Sequence, residues 1–181
     1  MDKSYLQLET EARTLQFSVG VELGLHCLSM LVHTKGTTIG IKEIAEFQGV
    51  SEPYLSKIFT KLKKAGIVRS MPGVKGGYEL ARSAEQITLW DVVAAVEGAQ
   101  PMFQCTEVRR KAIVNQWVEL PPGFWKTPCA IHAVMLEAEQ KMRDFLRDKT
   151  LAWLDQRLNA TLPPETMEAG ARWLQEKLAK R

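Results

Sequence analysis

Two polar side chains interrupt an apolar stretch near the beginning of the chain. Glu22 and His26 lie four residues apart within residues 17–33, which are otherwise mostly hydrophobic. On a helix this spacing puts the carboxylate and the imidazole on one face, one turn apart, where both can reach a common metal ion. Each side chain also has an ordinary interpretation. His26 is compatible with a core histidine bonded to a carbonyl, and Glu22 with a salt-bridged or half-exposed residue.

The chain has three cysteines, and two of them have a pattern that suggests chemistry. Cys105 and Cys129 lie 24 positions apart on either side of a proline-rich stretch, and His132 follows Cys129 by three residues. Two thiolates suit an iron–sulfur unit or zinc, and they can also form a reversible disulfide. Cys27 falls in the apolar stretch, so we expect a small buried hydrophobe there.

Composition and charge restrict the class of protein. The odd number of cysteines is a poor disulfide framework and favours a reducing cytoplasm. We find neither a secretory h-region nor an apolar run as long as a membrane span. The whole chain has a net charge of +3. Residues 41–82 alone carry +4 and the remaining residues −1, so the positive charge is concentrated in one segment. Such segregation is typical of a surface that binds nucleic acid.

The basic segment has the pattern of a winged helix-turn-helix. Residues 41–49 predict a short helix ended by a glycine, and residues 51–66 a second helix with a lysine-rich outer face. Residues 67–82 predict a β-hairpin with a glycine-rich tip. A lysine-rich helix is often only a solvated face, but the hairpin and the charge segregation favour DNA binding. The candidate DNA-binding residues are Ser51, Tyr54, Ser56, Lys57, Lys61, Lys64, Lys75, Gly76 and Gly77.

The whole chain is predicted to be mainly α-helical with a small β-hairpin wing. After the wing we expect a further helix, a long loop and then an amphipathic helix with a break near Lys149. The apolar stripe of that last helix exceeds what a small winged domain needs, so it predicts a homodimer. The predicted segments are a 1–16 extension, a 17–98 winged helix-turn-helix domain, a 99–130 loop, a 131–158 dimerisation helix, and a 159–181 linker with a short helix.

Three stretches carry a resemblance to a known family. VSEPYLSKIFTKLKKAGIVRS, GVKGGYELAR and ITLWDVVAAVEG closely resemble the bacterial winged-helix regulators that include IscR, NsrR and RsrR. The resemblance covers residues 15–158. It implies a dimeric transcription regulator that binds a palindromic operator in double-stranded DNA. In many members the loop before the dimer helix holds an iron–sulfur cluster.

The loop departs from the three-cysteine pattern of most members that hold a cluster. VELGLHC and MFQCTEVR resemble the RsrR branch, in which two loop cysteines of one subunit and a glutamate and a histidine of the other hold a 2Fe–2S cluster. This implies Cys105 and Cys129 from one chain, with Glu22 and His26 from its partner. Leu23 replaces the aromatic residue of that branch, so a switch based on that ring is not implied. His132 matches a ligand of IscR-type members and is the rival of His26.

The sequence therefore predicts a cytoplasmic DNA-binding regulator, more readily a repressor than an activator, that senses redox state through a 2Fe–2S cluster. Two alternatives remain. One is the same fold without a cluster, switched by Cys105–Cys129 thiol–disulfide chemistry or by zinc. The other is a regulator that binds a protein partner through the dimer helix. We recognise no phosphate-binding loop, dinucleotide fingerprint or catalytic triad in the sequence, so an enzyme is not predicted.

Overall fold

The computed structural model describes residues 17–34, 36–73, 76–98 and 101–180, so the predicted 1–16 extension lies outside the described residues. Within these ranges the fold is mainly helical with one β-hairpin, which confirms the predicted fold class. The elements are α1 (Val19–Val32), α2 (Ile41–Gln48), α3 (Glu52–Lys64), β1 (Val68–Met71), β2 (Gly77–Leu80), α4 (Leu89–Glu97), α5 (Ala130–Arg147), α6 (Leu151–Thr161) and α7 (Pro164–Ala179).

Helices α2 and α3 form the predicted helix-turn-helix. Gly49 ends α2 with a φ of +65°, a left-handed conformation that glycine adopts without a Cβ penalty. Pro53 lies in the first turn of α3, where its missing N–H costs no helical hydrogen bond. The buried face of α3 repeats at helical spacing and faces the core, which leaves its polar face outward. That buried face consists of Leu55, Ile58, Phe59 and Leu62.

Strands β1 and β2 form the antiparallel wing, with Val68 opposite Leu80 and Met71 opposite Gly77. A Cβ on Gly77, whose φ is +155°, would collide with the carbonyl group of Ile39. A Cβ on Gly76 would collide with the Met71 carbonyl oxygen. Packing within the hairpin requires Gly76, and packing of the hairpin against Ile39 requires Gly77, whatever approach to DNA they also permit.

One apolar core joins α1, α3, α4 and the wing. The side chains of Leu28, Phe59 and Val92 are fully buried there. Gly20 and Gly24 of α1 face α4, where added Cβ atoms would lie 3.1 and 3.5 Å from Val96 and Val92 side chains. The small residues therefore let the two helices pack closely.

The predicted 131–158 helix is divided, as expected near Lys149. Residues 148–150 leave the helix because the Lys149 carbonyl accepts from the Leu89 N–H at 2.8 Å, while the Leu151 N–H donates to Ile87 at 2.8 Å. Only residues 162 and 163 separate α6 from α7, so the linker expected within residues 159–181 is two residues long. Pro164 occupies the first turn of α7, where proline is tolerated. Among the described helices, none combines the length and the apolar composition that a membrane span requires.

Candidate functional site

The long loop before α5 is built from short turns rather than extended chain. A left-handed residue, Glu107 with φ +51°, starts the first turn, and this is the one described non-glycine residue with a positive φ. Such a backbone is strained, and strained residues concentrate at functional sites. The three 3₁₀ turns of the loop are Val108–Lys111, Ile113–Gln116 and Phe124–Lys126.

Three potential metal ligands meet where this loop contacts the start of α5. One ligand atom each from Cys105, Glu107 and His132 lies within 4.8 Å of the others, and all three residues are partly buried. The Cys105 thiol lies 3.8 Å from a carboxylate oxygen of Glu107, within contact for a sulfur hydrogen bond. The arrangement offers sulfur, oxygen and nitrogen donors to one ion. This mixed donor set suits zinc or an iron atom with non-cysteine ligands.

Cys129 lies at the N-cap of α5, one turn before His132. Arg109 connects residues that lie two positions from each cysteine. Arg109 Nε donates to Glu107 at 2.8 Å and Nη2 donates to the Thr127 carbonyl oxygen at 2.6 Å. Its guanidinium also lies over the Trp125 ring, 5.5 Å from the centroid. Arg109 thus joins the two ends of the loop that carry the cysteines.

Electrostatics favour the ionised forms of Glu107 and Arg109. The hydrogen bond from Arg109, helped by the charges of Arg109 and Arg110, lowers the pKa of Glu107. The pKa of Arg109 is raised, first by the Glu107 hydrogen bond and further by the charges of Cys129 and Cys105. Both sulfurs therefore lie within electrostatic reach of one guanidinium, and Glu107 is a carboxylate at neutral pH, as a metal ligand must be.

Cys27 is separate from this centre. Its side chain is fully buried in the core, and burial raises the pKa of its thiol to about 12. A protonated thiol is neither a strong metal ligand nor a nucleophile. The expectation that Cys27 is a small buried hydrophobe is confirmed.

The structure locates Glu22 and His26 on the outer face of α1, with both residues exposed. Among the described residues they do not join Cys105 or Cys129 within one chain, whereas His132 and Glu107 do join Cys105. Sequence reasoning missed Glu107 and Arg109, although both follow Cys105 in the CTEVR motif at two-residue intervals.

The predicted DNA-binding residues differ in exposure and in their contacts within the chain. Tyr54 and Lys57 are exposed near the start of α3, and Lys64 is exposed at its end. Lys61 differs, because its ammonium donates to the Val96 carbonyl oxygen at 2.6 Å and ties α3 to α4. Lys75 lies outside the described residues. Ser51 is exposed and Ser56 is half-buried.

A polar chain connects the loop to the winged domain. The Met102 N–H donates to Glu139 at 3.2 Å, and Glu139 forms an ion pair with Arg143. The Arg143 guanidinium lies 5.0 Å from the centroid of the Trp90 ring on α4. A change in the loop therefore has a direct physical connection to α4 through α5.

Comparisons with known proteins agree with this architecture. Residues 17–157 match the Rrf2 family, described as an iron-dependent transcriptional regulator. The chain is 31% identical over 127 residues to the HTH-type transcriptional regulator IscR of Vibrio atlanticus (strain LGP32), a match covering 70% of this chain and 66% of that relative.

Two solved structures extend the similarity to the fold. CymR, the global cysteine regulator of B. subtilis, superposes with a TM-score of 0.60 at 25% identity, covering 80% of this chain and 98% of that one. IscR of T. potens superposes with a TM-score of 0.58 at 27% identity, covering 86% of this chain and 97% of the other.

Proposed function

The chain belongs to the Rrf2 family of DNA-binding transcriptional regulators, and we propose that it is a homodimeric repressor that senses redox state through a 2Fe–2S cluster. The family and its relatives are regulators of transcription rather than enzymes. The observation that carries the proposal is the group of Cys105, Glu107 and His132, whose ligand atoms lie within 4.8 Å of one another, with Cys129 at the N-cap of the helix that carries His132.

Dimerisation is supported by the outer face of α5. The side chains of Ile131 and Phe145 are 67% and 62% exposed, and Val134, Met135 and Leu136 are also exposed. Several exposed apolar side chains on one helix are typical of an interface with another protein surface. A two-fold dimer would bring two α3 helices to the two halves of a palindromic operator.

We assign Cys105 and Cys129 of one subunit to the cluster, together with Glu22 and His26 of the partner subunit. Exposure of Glu22 and His26 on the isolated chain suits ligands that serve a neighbour rather than their own core. The loop that carries the cysteines also exposes Trp117 and Val118, which provide apolar surface for contact with a second subunit.

The residues of the chain provide the environment that such a cluster needs. When bound, a 2Fe–2S cluster supplies reversible one-electron chemistry, and nitrogen or oxygen ligands on one iron raise its potential. Arg109 contributes a positive charge within electrostatic reach of both sulfurs. The Met102–Glu139–Arg143–Trp90 connection gives the loop a route to α4 and to the winged domain.

A second ligand set has support of its own. Glu107 and His132 already lie with Cys105 in one chain, so all non-cysteine ligands could come from the subunit that provides the cysteines. The same groups would bind zinc, and the two free thiols could form a disulfide instead. A cluster with ligands from one chain would contain iron, the zinc site would contain zinc, and the disulfide form would contain no metal at these thiols.

Anaerobic purification tests the proposal. We expect a visible charge-transfer spectrum with about two iron atoms and two sulfides per chain, because a two-fold dimer has two equivalent sites. Cys105→Ser should abolish the spectrum, and oxidation of the wild type should change operator affinity. Colourless protein containing zinc, or an intact redox response in Cys105→Ser, would contradict the proposal.

Two histidine variants distinguish the ligand sets. We expect His26→Ala to bleach the spectrum and His132→Ala to leave it intact. The reverse result would assign the ligands to one chain. Circular dichroism of both variants controls for loss of fold.

A further inference from the structure

A cavity of about 440 Å³ lies between α1, α2 and the C-terminal helices α6 and α7. Its volume falls in the range of roughly 300–1,000 Å³ typical of small-molecule sites. We propose that this cavity is an effector site for a small, mostly apolar compound that carries one hydroxyl or carbonyl group. None of its walls comes from the loop that holds Cys105 and Cys129, but His26, which the proposed function assigns to the partner subunit's cluster, also lines it.

The walls of the cavity are mainly hydrophobic. Met30 comes from α1, Leu158 from α6, and Leu174 and Leu178 from α7. Apolar walls from three helices favour a ligand that buries hydrocarbon surface.

One polar pair on the cavity wall could orient a bound ligand. His33 Nε2 and Asp155 Oδ1 lie 2.7 Å apart, and both residues line the cavity. Asp155 Oδ2 also accepts from Asn159 at 3.2 Å, so the carboxylate is held in place. A hydroxyl or carbonyl group on an otherwise apolar ligand has a hydrogen-bond partner at this pair.

The cavity connects the C-terminal helix to the DNA-binding unit. The last residues of α2, Phe47 and Gln48, line the cavity, and the Phe47 ring lies 4.8 Å from the ring of Trp173 on α7. Lys177 of α7 pairs with Glu46 of α2 at 2.8 Å. A ligand that displaces α7 therefore shifts α2, which precedes α3. Ligand affinity and operator affinity must then be coupled in both directions.

Much of this site lies beyond the part of the chain that matches the family. The match ends at residue 157, whereas the α7 wall and part of the α6 wall follow it. The site is therefore a feature that the C-terminal segment of this chain adds to the winged domain.

Calorimetric titration of the purified full chain with 4-propylphenol tests the site. We expect saturable binding to the wild type, with one compound per chain. Ala171→Trp places a large side chain on the cavity wall and should weaken binding at least about tenfold. Ala169→Trp is the matched control, because Ala169 is exposed on the same helix but lies outside the cavity. This variant should bind 4-propylphenol as tightly as the wild type.

Operator binding measured with and without saturating 4-propylphenol tests the coupling. We expect at least an approximately fivefold change in operator Kd for the wild type and Ala169→Trp, and none for Ala171→Trp. If Ala171→Trp alters the circular dichroism spectrum, Met167→Trp on the same wall replaces it.

Four results would overturn the proposal. The first is no saturable binding, and the second is equal binding to Ala171→Trp and Ala169→Trp. The third is binding that appears only after residues 2–16 are deleted, which would identify that segment as the occupant. The fourth is saturable binding without any change in operator Kd, which would exclude an effector role.

Discussion

Arg109 donates a hydrogen bond of 2.6 Å to the carbonyl oxygen of Thr127, 18 residues further along the loop. The donor follows Cys105 by four residues, and the acceptor precedes Cys129 by two. This single bond therefore closes the segment between the two thiols. Because a loop of this length loses considerable entropy when its ends are fixed, the Arg109 contacts determine how well the cysteines are positioned.

We expect Arg109→Gln to loosen the loop, because it removes the charge and the bonds to Glu107 and Thr127. Chymotryptic cleavage after Phe124 or Trp125 should accelerate about tenfold, as local opening becomes easier. Arg110→Gln is the matched control, since Arg110 is more exposed and its Glu107 contact is 3.7 Å. Equal cleavage rates for the two variants would show that Arg109 does not position the loop.

Glu139 and Glu137 give a second matched pair on α5. Glu139 is buried, pairs with Arg143 and accepts from the Met102 N–H. Glu139→Gln should therefore lower the free energy of unfolding by about 1–3 kcal/mol. Glu137 forms an exposed pair with Lys141, so Glu137→Gln should change it by less than about 0.5 kcal/mol. Urea denaturation measures both, and a smaller loss in Glu139→Gln would be inconsistent with the proposed connection.

Two lysines of α3 should separate DNA affinity from stability. Lys57 is exposed near the start of the helix, so Lys57→Ala should reduce the slope of log K against log salt by about 0.9 per subunit. Lys61 donates to Val96 instead, so Lys61→Ala should lower the free energy of unfolding by about 0.5–1.5 kcal/mol and leave the slope nearly unchanged. Salt-dependent operator binding and urea denaturation measure the two effects. A lower stability in Lys57→Ala together with a reduced salt slope in Lys61→Ala would contradict the prediction.

Cys27 should make stability sensitive to alkaline pH. Burial raises the pKa of its thiol to about 12, so above pH ~9 the unfolded chain releases a proton that the folded chain retains. The free energy of unfolding therefore falls as pH rises through this window. The stability difference between wild type and Cys27→Ala should shrink by about 1 kcal/mol between pH ~9 and ~10. A constant difference would mean that the thiol titrates normally in the folded protein.

Local patterns explain why the winged domain was predictable. The apolar spacing of Leu55, Ile58 and Leu62 determines one helix face, and Gly49 ends the preceding helix through its own backbone freedom. Both signals lie within a few residues of the structure that they determine. The break near Lys149 was also predictable, although its cause is a distant pairing with residues 87–89.

Contacts between distant segments explain what the sequence did not reveal. The Arg109–Thr127 bond and the Phe47–Trp173 contact depend on how the chain folds back, and neither follows from periodicity. The linker expected within residues 159–181 is short because Pro164 occupies the first turn of α7 rather than ending a helix. The sharing of ligands between subunits stays a prediction for the same reason.

A mixed dimer tests that sharing most directly. Cys105→Ala and the double variant Glu22→Ala/His26→Ala, each with a different affinity tag, are co-expressed, and the heterodimer is purified anaerobically. If ligands come from both subunits, one of the two sites in the heterodimer is intact. We expect about half of the wild-type 2Fe–2S absorbance per dimer, and little in either variant homodimer. A colourless heterodimer beside a coloured wild type, or full absorbance in the Glu22→Ala/His26→Ala homodimer, would contradict a cluster shared between subunits.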